Sequence, residues 1–294
     1  MENKGLTMTI VFEAESANYG EGVGNVSTLK KVSRGSGESF SYISRQALRY
    51  NIVQQMIPSD KLAPVKAEGS GEKKVIQYQY DSSIKDYSEI DLFGYMKTEK
   101  ETTGAIRSAV VRLSHAIALE TFNGDLDYLT NKGLFDRLPE GEAKGGNIAQ
   151  SEIHKSFYAY TITIDLEKVG VDKDIEINNT IKAERIKKLL KTVKFLYRDI
   201  RGRRENLSPL FVIGGIYDIK NPFFENRIKI KDMKIDTNII NSVISLDEEV
   251  KNNTKVGYIE GIFNNSNEIK KELNPASIEE FFKAIEKRVD EYYV

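Results

Sequence analysis

The sequence predicts an α+β fold whose elements run in the order βαββαβ, the ferredoxin-like pattern, interrupted by a large insertion. Three observations carry this. Leu6, Met8, Ile10 and Phe12 alternate with Thr7, Thr9 and Val11, the period of two that marks a strand with one buried face. Apolar residues recur at helical spacing in two stretches, 45–57 and 180–200. Two further apolar strands, 157–166 and 209–217, bracket the second of those helices. One more strand, drawn from the excursion after the first helix, completes the pattern.

Whole-chain properties narrow the classes. A length of 294 residues allows one large domain or two small ones, and 40% hydrophobic with 10% aromatic residues suffices for a core. No apolar run reaches 18 residues, so no membrane-spanning helix is expected. The opening residues lack a charged stretch followed by an apolar one, and read as a first strand and not as a signal peptide. There is no cysteine, which removes disulfides, thiolate nucleophiles and zinc ribbons and fits a reducing cytoplasm. The net charge of −1 means that any nucleic-acid site must come from local clustering.

In chain order, the first strand is followed by a glycine-rich stretch, Ala17 to Asn25. It is no Walker A loop, because no Gly-Lys-Ser/Thr follows. It is a weak dinucleotide candidate, because no helix with a packing glycine opens after it. Lys30, Lys31 and Arg34 come next, and the window 27–49 holds five basic residues against Glu38. A Gly/Ser-rich loop then leads to Ser44, a good N-cap because its hydroxyl can accept from a first-turn N–H. Leu48, Ile52 and Met56 form the helix stripe, and Pro58 stops it. Free N–H groups at that start, with Ser44, Arg45, Gln46 and Arg49 around them, suit a phosphate. An ordinary capped surface helix accounts for the same residues.

Residues 58–107 read as the excursion, with a loop-like tract 67–74, an alternating segment 75–80 and a polar stretch 97–104. In 88–96 an exposed Met96 or Tyr95 could wedge against a base. The competing reading makes Leu92, Phe93 and Met96 core. The segment 107–120 is ambiguous between strand and helix. Asp125 and Asp127 follow Asn123-Gly124 as turn chemistry, and 131–155, with Gly141, Gly145 and Gly146, is loop-rich. In 157–166, Tyr158, Tyr160, Ile162, Ile164 and Leu166 share one strand face. Ile186, Leu189, Leu190, Val193, Leu196, Tyr197 and Ile200 form the stripe of the second helix.

From Lys182 to Arg204 there are ten basic residues against Glu184 and Asp199. The run ends in Arg201-Gly202-Arg203-Arg204, predicted as a loop. Lysines on a helix face are ordinary solvation, but clustered arginines suit phosphate. Further alternating segments follow at 228–235 and 256–263. Ser277 and Glu280 make a capping box for a C-terminal helix whose stripe is Ile278, Phe281, Phe282, Ile285, Val289 and Tyr292.

Several segments, taken together, resemble a known family. Ile43-Ser-Arg-Gln-Ala-Leu-Arg49 is similar to I-S-S-Q-[AS]-L-[KR] of the backbone subunits of type I CRISPR surveillance (Cascade) complexes, the Cas-seven family. Ile90-Asp-Leu-Phe-Gly-Tyr-Met96 resembles D-x-A-L-x-G-R-M, and Val111-Arg-Leu-Ser-His115-Ala-Ile resembles (S)-I-A-H-A-I. Asp125-Leu-Asp127-Tyr and Phe157-Tyr-Ala-Tyr follow in the family's order, so the resemblance covers roughly residues 6–217. Asn18-Tyr-Gly-Glu-Gly with Asn25, and Leu207-Ser-Pro-Leu-Phe-Val-Ile-Gly-Gly, are similar to the DevR autoregulator branch of subtype I-B.

The resemblance implies an RNA-recognition (RRM) core as palm, residues 1–57 and 156–294. It implies a fingers insertion, 58–155, and a thumb-like basic loop near 198–208 that reaches a neighbouring copy. Copies would line up along one CRISPR RNA, with other Cascade subunits of the Cas-five, Cas-six and large types, and present the guide to a target DNA strand. The implied RNA-binding positions are Asn18, Asn25, Lys30, Lys31, Arg34, Ser44, Arg45, Gln46, Arg49, Met96, His115, Arg201, Arg203 and Arg204. Met96 would sit at a flipped-out base. Arg45 replaces the family's second Ser and adds charge. Tyr95 replaces the Arg of G-R-M, the residue on which that tip's phosphate contact would rest.

A scaffold of this kind needs neither cofactor nor metal and is no enzyme. Three other classes compete. Asp125 and Asp127 could serve a metal-dependent RNA nuclease, although no third ligand is placed and His115 and His154 show no ligand spacing. A DNA-binding autoregulator would prefer duplex, but no helix-turn-helix signature is present. A plain oligomeric structural protein leaves the 182–204 charge run unused.

Overall fold

The computed structural model describes residues 2–15, 18–58, 61–68, 74–98, 104–139 and 148–293. Most of the loop-like tract 67–74, the middle of the polar stretch 97–104, Ala17 and the glycines 141, 145 and 146 lie outside the described residues.

Alternation in the first strand becomes the middle of an eight-stranded sheet. Gly5–Ala14 pairs antiparallel with Ser156–Asp165 on one side and Phe211–Tyr217 on the other, with Ile10 opposite Tyr160 and Val212. Val111–Leu113 and Ala116–Ala118 pair beyond Ser156–Asp165. The ambiguous segment 107–120 is therefore strand, not helix. Ser39–Ile43 and Lys31–Ser33 extend that edge, so the stretch read as a loop into the first helix is partly strand. Lys255–Tyr258 extends the other edge. Around the two internal helices the strand order is fourth, first, third, second.

Three helices cover one sheet face. Arg45–Met56, Asn179–Lys194 and Ile278–Tyr293 place Ile52, Leu190 and Ile285 against Met8, Ile10 and Tyr160 in the larger core. The opposite face is also covered, which alternation alone did not predict. Residues 218–275 pack Phe224, Ile228, Ile240 and Phe263 on Val11, Phe157 and Ile213. Thr7 and Thr9 are consequently buried. Thr9 shares a 2.7 Å hydroxyl bond with Thr161, and Thr7 donates to the Ile162 carbonyl. Both buried polar groups are thus satisfied.

Several predicted boundaries change. The second helix ends at Lys194, and Tyr197–Ile200 forms a hairpin with Arg203–Asn206. Arg201 (φ +47°) and Gly202 (φ +77°) are both left-handed, which a two-residue antiparallel turn of this type requires. The predicted basic loop is this hairpin. The glycine-rich stretch after the first strand forms a hairpin too, Tyr19–Val23 with Val26–Leu29. Asp125 and Asp127 lie in a strand, Asp125–Thr130, exposed throughout and paired with Ile148–Ile153, rather than in a turn.

The segment 88–96 divides into a short helix, Ser88–Phe93, and the strand Tyr95–Lys97. Gly94 (φ +74°) joins them. A Cβ there would lie 2.4 Å from the Arg107 carbonyl oxygen, so only glycine fits. The alternating segment 228–235 is a small hairpin, Ile230–Lys231 with Lys234–Ile235, and 256–263 keeps only the strand Lys255–Tyr258. No helix among the described residues is long and apolar enough to cross a membrane.

Tyr160 offers a test of the core. Its hydroxyl is buried with no hydrogen-bond partner among the described residues, and burial raises its pKa. An unpaired buried hydroxyl costs about 1–3 kcal/mol. Tyr160→Phe is therefore expected to leave stability unchanged or raise it by about 1 kcal/mol in urea unfolding. A loss above that amount would mean the hydroxyl has a partner in solution.

Candidate nucleic-acid interface

The first helix is capped from three directions. Ser44, extended at φ −66° and ψ 148°, accepts from the Ala47 N–H at 3.2 Å. The Ser44 N–H donates to the Asn18 side-chain oxygen, and the Arg45 N–H donates to His115 Nδ1 at 3.0 Å. The predicted set of free N–H groups is thus largely used within the chain. Asn18 and His115 act there as capping partners, a role that spacing in the sequence does not reveal. His115 must be neutral at Nδ1 to accept. Its pKa is held below the ordinary histidine value by burial, then by Arg45 and Lys30.

With the N–H groups taken, charge at this site comes from side chains. Three clefts line up along the helix and share walls. The first, about 320 Å³, is lined by Arg34, Arg45, His115 and Lys229 over a floor of Thr9, Ser114 and Thr161. The second, about 380 Å³, takes Arg45 again, with Gln46, Arg49, Phe93 and Arg112. The third, about 840 Å³, takes Arg49 and Phe93 again, with Tyr95, Met96, Ile76 and Arg107. Arg45 joins the first cleft to the second and Arg49 joins the second to the third, so the three form one groove. Arg34, Arg45, Arg49, Arg107, Arg112 and Lys229 face two carboxylates, Glu89 and Glu225.

Not all of that charge is free. Arg107 holds buried Asp91 at 2.7 Å, and Arg112 holds Asp165 at 2.9 Å. Arg34 and Arg49 lie over the rings of Phe40 and Phe93 at 4.4 and 5.1 Å, and no carboxylate among the described residues pairs with Arg34, Arg45 or Arg49. Met96 is 63% exposed opposite exposed Ile106, at the far end of the groove. Tyr95, which also lines that cleft, donates its hydroxyl to Asp172 at 2.7 Å. Its pKa is pushed up to about 12, by burial first and then by that carboxylate.

Of the predicted positions, Arg34, Arg45, Gln46, Arg49, Met96 and His115 come together in the groove, with Ser44 and Asn18 at its helix start. Of the rest, Lys30 lies close enough to His115 to lower its pKa, and the others stand apart from the groove. Lys31 pairs with Glu152 at 2.8 Å, Lys30 packs near Gly20, and Asn25 is exposed at the turn of the 19–29 hairpin. Arg201 stacks on Tyr19 at 3.9 Å. Arg203 pairs with Glu15 at 2.8 Å and Arg204 with Asp199 at 2.8 Å. The cleft beside them also holds Glu13 and Glu205, so that end is mixed in charge. Arg112 and Lys229 were not singled out from the sequence. Arg112 sits inside the quoted 111–117 segment, whereas nothing local marks Lys229.

Asp125 and Asp127 are exposed, and no group of three or more His, Cys, Asp or Glu among the described residues could hold a metal ion. His154 is buried in a network with Ser41 and Tyr158, at 2.7 Å for each Ser41 contact, and supports the sheet.

The model of the family described as CRISPR-associated negative auto-regulator DevR/Csa2 matches residues 6–238. The CRISPR-associated protein Cas7/Cst2/DevR of Myxococcus xanthus (strain DK1622) is 25% identical over 167 residues, which is 52% of this chain and 54% of that relative. The match thus spans about half the length of the curated relative. Among solved structures, a chain titled CRISPR RNA-guided surveillance complex, pre-nicking, aligns with a TM-score of 0.63 at 11% identity, covering 96% of this chain and 100% of that one. A second, titled CRISPR RNA-guided surveillance complex, gives a TM-score of 0.56 at 13% identity, covering 95% and 99%. At these identities the likeness is one of fold.

Proposed function

The chain belongs to the family of the CRISPR-associated negative auto-regulator DevR/Csa2, and from that premise we propose that it is a multi-copy backbone subunit of a type I, subtype I-B, surveillance complex. It binds the sugar-phosphate backbone of the CRISPR RNA without regard to sequence and presents the guide for pairing with target DNA. The observation that carries this reading is the single groove along the first helix, in which Arg34, Arg45 and Arg49 have no carboxylate partner among the described residues. A scaffold for any guide must grip phosphate and ribose and ignore base edges, and unpaired arginines in an open groove do that.

In this reading, 1–57 and 156–294 are an RRM-like palm whose strand order, fourth, first, third, second, suits the RNA-recognition core. The stretch 58–155 supplies fingers, with Met96 as the wedge at a flipped base. The hairpin at 197–206 is the thumb-like element. The ribbon of Asp125–Thr130 and Ile148–Ile153 exposes Leu126, Tyr128, Leu129 and Ile148, apolar surface suited to a neighbouring copy or another subunit. The protein works in the cytoplasm as a binder and not as an enzyme.

A salt series tests the reading. Single-stranded RNA of scrambled sequence is expected to bind as well as a CRISPR RNA, in several steps on a long strand. The slope of log K against log salt should be near −0.7 per phosphate contacted. Preference for a duplex promoter would favour the regulator that the family description names. Metal-dependent cleavage of RNA, lost in an Asp125/Asp127 double alanine, would favour the nuclease.

A further inference from the structure

The groove does not end on the first helix. Its 320 Å³ end is closed by a segment far away in sequence, the stretch between the strands Phe211–Tyr217 and Lys255–Tyr258. Phe224, Ile228 and Ile230 anchor that stretch in the second core. Because Ile228 and Ile230 point inward, Lys229 between them is turned out into the cleft, facing Arg34 and Arg45. Arg227, exposed, lies close enough to Lys229 to act on it. The hydroxyls of the floor are occupied among themselves, since Thr9 bonds Thr161 and Ser114 accepts from the Thr161 N–H at 2.9 Å.

We propose that Lys229, with Arg227 beside it, forms a phosphate-binding subsite that closes the Arg34–Arg45 end of the groove and extends the RNA path onto the C-terminal half of the chain. This rests on the RNA-binding reading above and adds residues to it. Three cations, Arg34, Arg45 and Lys229, line one cleft with a single carboxylate, Glu225, and none of the three is ion-paired among the described residues. Such a cluster repels itself until an anion enters. Burial, then Arg34 and Arg227, lower the pKa of the Lys229 ammonium. At about 320 Å³ the cleft has room for a ribose-phosphate unit and not only for a bare ion. The anchoring of Ile228 and Ile230 fixes the backbone at Lys229, so little main-chain order has to be gained on binding.

The test uses the full chain, a 30-nucleotide oligouridylate and five proteins: wild type, an Arg227→Ala/Lys229→Ala double variant, Lys229→Arg, an Arg45→Ala/Arg49→Ala double variant, and Lys287→Ala. The last is a control, since Lys287 is solvent-exposed on the C-terminal helix near Glu291. Thermal unfolding checks that each is folded. The double variant is expected to bind about ten-fold more weakly and to flatten the salt slope by about 1.4, at 0.7 per lost contact. Lys229→Arg should restore most of the loss. The inference is overturned, and the RNA reading kept, if the double variant matches Lys287→Ala while an Arg45/Arg49 double alanine loses binding. If wild type binds no RNA at low salt, the reading and the inference fall together. A third arm titrates inorganic phosphate. If phosphate raises the unfolding midpoint of wild type only and the RNA slopes coincide, the cleft serves a free anion and the RNA assignment is overturned.

Discussion

Replacing Arg45 and Arg49 together with alanine is expected to weaken binding of single-stranded RNA about a hundred-fold near physiological salt, if each side chain contributes roughly 1.4 kcal/mol. That is just below the roughly 1.5–3 kcal/mol typical of hydrogen bonds to charged groups. The two residues are one helical turn apart, so both face the same flank; Arg45 lines the first and second clefts and Arg49 the second and third. Their side chains do little for the fold. The cap uses the Arg45 backbone N–H, which alanine retains, and Arg49 overlies Phe93 and lies beside the Tyr78 hydroxyl at the surface of the groove. Alanine also favours a helix. The loss should therefore appear with an unfolding midpoint close to wild type. The salt slope should flatten by about 1.4. An Arg203/Arg204 double alanine is the contrast, because both guanidinium groups are held by carboxylates, and its effect on the slope is expected to be smaller. Anisotropy titrations at four salt concentrations decide the matter. Equal slopes for wild type and the Arg45/Arg49 variant would remove the groove from consideration.

What was legible in the sequence is what depends on local period. Gly5–Ala14, Ser156–Asp165 and Phe211–Tyr217 alternate, and Arg45–Met56 has a stripe, a cap at Ser44 and a stop at Pro58, so each could be placed to within a residue or two. The second helix was drawn too long for the same reason. Leu196, Tyr197 and Ile200 happen to continue a helical period, but Arg201-Gly202 supplies turn chemistry that converts the end into a hairpin. Tertiary cover was not legible. Thr7 and Thr9 read as a wet face, yet residues 218–275 bury them, and those residues carry only short or irregular patterns. The site divides along the same line. Arg45, Gln46 and Arg49 are neighbours on one helix and could be grouped from spacing. Lys229 reaches Arg34 only through the packing of Ile228 and Ile230, and the pairing of Arg203 with Glu15 joins residues far apart in the sequence. Charge counting in the 182–204 run could not see those partners.

Asp91→Ala is expected to cost about 3–5 kcal/mol, because removing one member of a buried ionic network leaves its partners uncompensated. Asp91 is fully buried at the end of the short helix Ser88–Phe93. One carboxylate oxygen accepts from Arg107 at 2.7 Å and from the Gly170 N–H at 2.9 Å, and the other accepts from Arg185 at 2.7 Å. Arg107 also donates to the carbonyls of Asp91 and Lys168, and Arg185 to those of Ile84 and Lys85. Two guanidinium groups thus meet on one carboxylate, each tied to a different part of the chain. Arg107 belongs to the excursion that carries Met96, and Arg185 to the long helix Asn179–Lys194. Removing the carboxylate leaves two buried guanidinium groups facing each other, with Asp172, 3.9 Å from Arg107, the one carboxylate still near them among the described residues. For a chain of this size the midpoint should fall on the order of 10 °C. Asp91→Asn keeps the shape and one acceptor without the charge, and should fall between Asp91→Ala and wild type. Hydrogen exchange gives the location: amides of 74–98 should lose protection before those of Gly5–Ala14, since the excursion is held to the sheet through this cluster. RNA affinity should drop less than in the Arg45/Arg49 variant, because Arg45 and Gln46 keep their places on the helix. An Asp91→Ala protein with the wild-type midpoint would mean that the two arginines find other partners, and the cluster would then be no anchor between the excursion and the helix.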